Sequence, residues 1–166
     1  MAVSDAVMLP PDTPGHELYR LNLHATGAFV VAAVLAALVP GALRIPFAVF
    51  SCVLFAIGTI SFLWAYAKAI ERSRNQDVSV GMIYGMSGTT PRPIRRRFHL
   101  LTLVQTVAAI ATASIHPFTA QAFGILAPML GLGLAGLWSA QHGEFAERHD
   151  GRNFARRQAR ESSSNG

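Results

Sequence analysis

Within one apolar run of this chain, Thr102, Gln105, Ala109 and Thr112 recur at three- and four-residue steps, which places them on one face of a helix. An uncharged stripe of this kind can line a path for a neutral solute or tie helices together through hydrogen bonds. It cannot relay a proton as an intramembrane carboxylate does. His24 and His99 precede or open two such runs at corresponding positions. Two imidazoles at similar depth could clamp a b-type haem axially, but bis-histidine pockets hold their ligands deeper in the span. The preferred reading is two amphipathic rings marking an interface, and no cofactor is expected.

Three further clusters carry chemistry-bearing residues. His142, Glu144, Glu147, His149 and Asp150 have the composition of a metal site, but on a helix the two histidines are about 10 Å apart, too far for one ion. No metal is expected there. Gly81 to Gly88 is glycine-rich, yet no strand–helix unit surrounds it and no lysine follows, so it lacks the parts of a phosphate loop. Arg92, Arg95, Arg96 and Arg97 stand directly before an apolar run. In that place they read as a topology signal that also draws anionic lipid headgroups, at about 1 kcal/mol per basic residue, or an acidic partner. Nucleic acid is not expected, although the isoelectric point is about 10.3. No nucleophile elbow or dinucleotide fingerprint is present, and the chain is not expected to be an enzyme.

The elements that must position these residues follow from composition. The chain has 166 residues, of which 51% are hydrophobic and 14% charged. An ordinary soluble domain carries about 25% charged residues. A bilayer core of about 30 Å takes roughly 20 apolar helical residues to cross. Four stretches approach that length: about 25–43, 45–69, 98–115 and 119–139. None of the nine carboxylates falls inside them. The single cysteine, Cys52, excludes an intramolecular disulfide. Residues 1–19 are acidic and interrupted by Pro10, Pro11 and Pro14, so the first stretch reads as a retained anchor rather than a cleaved signal.

The expected fold is therefore an all-α membrane protein. Four transmembrane helices form two antiparallel hairpins over residues 23–139, with a cytoplasmic loop at 70–97. A cytoplasmic tail covers 1–22, disordered to about Gly15, and a basic helix and disordered tail cover 140–166. Every basic residue except Arg44 lies on one side of this layout. The positive-inside rule then places both termini in the cytoplasm of a cell with an inner (plasma) membrane. The bias of arginine over lysine in an alanine-rich chain suggests bacterial coding.

The hairpins share a sparse ordered pattern: Val-Ala-Ala at 31 and 107, Pro-Phe at 46 and 117, Leu-Trp at 63 and 137, Glu-Arg at 71 and 147. This suggests a tandem duplication, with a parallel pseudo-twofold along the membrane normal. Small residues should pack the helices: Ala28, Ala32 and Ala36 in the first, Ala48, Cys52 and Ala56 in the second, Ala127, Gly131 and Ala135 in the fourth. Pro128 should kink the fourth span and free a carbonyl for Gln105 or a hydroxyl. The function expected is an accessory, assembly or scaffolding subunit that meets protein partners in the bilayer. The rivals are a small transporter or channel-like bundle with a Gln105-lined cavity and, third, a haem-binding redox protein.

Overall fold

Proline and glycine decide where this chain can be helical. In the computed structural model, which describes residues 9–146 apart from positions 75, 89 and 116, α1 covers His16–Leu38, α2 Pro40–Arg72, α3 Val80–Tyr84 and α4 Arg92–Ile115. A 3₁₀ segment, Ala120–Leu126, then leads into α5, Pro128–His142. No strand occurs among the described residues. Four helical stretches are long and apolar enough to cross a membrane, and they fit a multi-pass membrane protein.

Gly15, with φ +71°, turns the chain into α1, and Glu17 complements the positive end of its dipole. The helix begins well before residue 25 because Tyr19, Asn22, Thr26, Phe29, Ala33 and Ala36 form one buried face at helical spacing. Nor are residues 9–15 a free tail. Leu9 is buried in the core, and the Pro14 carbonyl accepts a hydrogen bond of 2.9 Å from Trp138 Nε1.

Between α1 and α2 only Val39 is non-helical. Pro40 is tolerated at the first helical position, where its missing N–H is not needed. The boundary expected between the first two stretches, near residue 44, thus falls at Val39 instead, and Pro46 lies inside the helix. At 33 residues α2 is about 50 Å long, so it outreaches the hydrocarbon core. Its buried face is Phe47, Ser51, Leu54, Gly58, Ser61, Ala65 and Ala69. Ala48, Cys52 and Ala56 are therefore off that face; Cys52 and Ala56 are exposed. Gly58 makes the close interhelical contact in their place.

The fourth span is broken. Pro128 cannot donate to the Gly124 carbonyl, which accepts instead from Ala127 N at 3.1 Å, and the chain tightens into the 3₁₀ segment before α5 restarts. Half of this span's apolar window (50%) is buried inside the chain, against 22% to 28% for the other three, so α5 is the central helix. Glycine permits this. A methyl at Gly58 would meet Leu130 N and Met129 C at 2.5 Å, and one at Gly133 would collide with the Gly58 carbonyl. Helices α2 and α5 thus cross backbone to backbone.

The connecting stretch is not an open loop. Tyr84 of α3 stacks on Phe62 with ring centroids 4.1 Å apart, and its hydroxyl donates to the Phe62 carbonyl at 3.0 Å. Burial pushes its phenol pKa up. Ser139 Oγ donates to Met82 O at 3.1 Å, fastening α3 to α5 as well. After His142 the chain leaves the helix through extended Gly143, so the helix expected from residue 140 does not continue through residues 143–146. The basic segment from Glu147 onward, with Glu147, His149 and Asp150 of the acidic–histidine cluster, lies outside the described residues.

Candidate functional site

Gln105 is 1% exposed and lies where α1, α4 and α5 meet. Its Nε2 donates to Thr26 Oγ1 at 2.6 Å and to Asn22 Oδ1 at 3.2 Å. Its Oε1 accepts from Gly131 N at 3.2 Å. Thr26 Oγ1 in turn donates to the Asn22 carbonyl at 2.7 Å. Gly131 belongs to the first turns of α5, where backbone N–H groups lack an intrahelical partner. The proline break therefore offers Gln105 an N–H donor rather than the freed carbonyl expected. A methyl at Gly131 would stand 2.5 Å from Thr102 Oγ1 and 2.9 Å from Gln105 Oε1, so a side chain there would push these two groups aside.

Thr102 and Thr112 share the inward face but not the network. Thr102 Oγ1 donates to Phe98 O at 3.1 Å and Thr112 Oγ1 to Ala108 O at 2.7 Å, each within α4. A second buried amide does at the α1–α2 junction end what Gln105 does deeper in the bundle. Because Pro40 has no N–H, the Ala36 carbonyl loses its helical partner, and Gln121 Nε2 supplies one at 2.6 Å. Gln121 and Asn22 are both 0% exposed. Sequence reasoning missed Asn22, Thr26 and Gln121. The available signals were the i, i+4 spacing of Asn22 and Thr26, and a lone amide at the third position of the fourth apolar stretch.

Toward the arginine-bearing end an aromatic cluster closes the bundle. Tyr19 meets Phe98 edge-on at 5.7 Å, Phe98 lies 6.2 Å from Trp138, and Trp138 packs 5.5 Å from His142. Arg92, Arg95, Arg96 and Arg97 form the first turns of α4; Arg92 and Arg96 are exposed, Arg95 and Arg97 half-buried. Four cations there oppose the helix dipole, so local helix stability does not explain them.

His24 and His99 are both exposed. His24 Nδ1 is 2.9 Å from the Arg20 carbonyl, and His99 Nε2 is 3.2 Å from that of Gly85. The structure thus gives each ring a backbone partner of its own and does not join the two. No protein-family model, curated protein or solved structure matches this chain.

Proposed function

We propose that this chain is a non-catalytic multi-pass subunit of the bacterial inner (plasma) membrane, serving the assembly or scaffolding of a larger membrane complex. The observation that carries this reading is the state of Gln105. An amide lining a solute path must present free donors and acceptors to a wet lumen. Gln105 is buried and engages Asn22, Thr26 and Gly131 instead, which supports a role as interhelical glue. The transporter reading loses its central residue by the same argument. The haem reading would require His24 and His99 to turn inward from exposed positions.

Outward-facing surfaces support the partner reading. Cys52 and Ala56 are exposed on α2, with half-buried Ala48 a turn away, and small residues at this spacing let a neighbouring membrane helix approach closely. The exposed arginines at the start of α4 offer a basic patch to anionic headgroups or to an acidic partner. The positive-inside rule puts that patch and both termini on the cytoplasmic side.

Extraction in mild detergent followed by mass measurement of the intact assembly tests the reading. A stoichiometric hetero-partner is expected, released by Ala56→Trp on the outer face of α2. A bare homodimer that is indifferent to that substitution would speak for a self-contained transporter instead.

A further inference from the structure

A cavity of about 450 Å³ opens between the end of α2 and the last turn of α5, lined by Lys68, Glu71, Arg72, Gln76, Ala140 and Gln141. Its volume is within the range of small-ligand sites. Its level is set by α2. Lys68 is the first charge after the apolar run, and Trp64 and Tyr66, both exposed, stand just before it as an aromatic belt does at headgroup depth.

The polar groups are of both kinds. The Arg72 guanidinium is held in place, donating to Gly143 O at 3.1 Å and lying 5.2 Å from the Phe145 ring, which leaves it other N–H donors. Lys68 and Glu71 are 3.7 Å apart, a loose and solvent-exposed pair that a ligand can open at little cost. Gln76 Oε1 is buried and has no hydrogen-bond partner. A site meant for a plain anion would not combine a carboxylate with an unanswered carbonyl oxygen. Above the cavity, Val53, Ile57, Ile60 and Trp64 are exposed at helical spacing and run down α2 to Lys68, a continuous apolar strip for acyl chains.

We propose that this cleft binds a phospholipid whose headgroup carries both a phosphate and a primary ammonium. Arg72 and Lys68 take the phosphate, and Glu71 with Gln76 Oε1 takes the ammonium. The proposal rests on the bilayer placement of α2 and is independent of any protein partner.

Delipidated protein, purified alone in maltoside detergent, tests it with dioleoyl phosphatidylethanolamine, phosphatidylcholine and phosphatidylglycerol. Retained lipid is counted by native mass spectrometry, and the melting temperature is followed in parallel. Phosphatidylethanolamine should be retained about tenfold better than phosphatidylcholine, which has the same phosphate but no N–H to give. Glu71→Gln and Gln76→Leu should each erase that preference while the lipid-free melting temperature holds, and Arg72→Met should weaken both lipids together. Equal retention of the two lipids by the unsubstituted protein overturns the proposal. So does phosphatidylglycerol binding tighter than phosphatidylethanolamine with no response to Glu71→Gln, which would mark a simple basic patch. Free phosphoethanolamine or inorganic phosphate competing as well as the lipid would overturn the lipid assignment.

Discussion

Replacing Gln105 with Leu keeps the volume and the helix propensity but strips hydrogen bonds from Asn22, Thr26 and the Gly131 N–H at once. Hydrogen bonds between membrane helices contribute less than their burial suggests, so the expected loss is roughly 1–2 kcal/mol. Titration with sodium dodecyl sulfate reads it as an earlier unfolding midpoint. Glycine positions supply a sharper contrast. Gly58→Ala puts a methyl 2.5 Å from the backbone of Leu130 and Met129, where no rotamer change can make room. That substitution should cost about 1–3 kcal/mol by forcing α2 and α5 apart. Gly27→Ala meets nothing within 4 Å on the exposed side of α1 and should be neutral or stabilising by up to about 1 kcal/mol. Equal effects in the same titration would disprove the crossing. Neither outcome could be forecast from the sequence, where both glycines interrupt similar apolar runs.

At the scale of elements, the same prolines and amides explain what was and was not legible. Four apolar runs and their all-helical character followed from hydropathy and the exclusion of carboxylates. The ends did not, because polar residues inside a helix face look like boundaries until their partners are known. Asn22 and Thr26 belong to the buried face of α1 only because Gln105 lies opposite, 79 residues or more along the chain. Ala48, Cys52 and Ala56 form as regular a small-residue row as Ser51, Gly58 and Ala65, and periodicity cannot say which row another helix covers. Residues 9–15 carried no periodic signal at all. Their order comes from Leu9 entering the core and from the hydrogen bond between Trp138 and Pro14. Trp138→Phe keeps the aromatic packing and removes that bond. The amides of Thr13 and His16, which bond within this turn, should then exchange about tenfold faster, while those of α5 keep their protection. Unchanged exchange at both amides would mean that Leu9 alone secures the segment.

For the molecule as a whole, charge and packing point to the same asymmetry. The aromatic cluster around Phe98 and Trp138, the cleft beside Arg72 and the arginines opening α4 all gather at one end. The opposite end holds exposed Arg44, the Val39 junction and Phe118, which is fully exposed with φ +62°. Carrying an arginine through the hydrocarbon core is costly, so the arginine-rich end is expected on the side that never has to cross it. The consequence is measurable in intact cells with a Cys52→Ser background, into which Arg44→Cys or Arg96→Cys is placed, both being exposed positions. Only the thiol at position 44 should react with an impermeant maleimide from outside, and the thiol at 96 should react only after permeabilisation. The opposite pattern would invert the protein, move the basic patch and the proposed lipid cleft to the outer leaflet, and remove the cytoplasmic partners from consideration. Labelling of both positions in sealed cells would go further, because two sites at opposite ends of one helical bundle cannot both face outward if the four apolar helices span the bilayer.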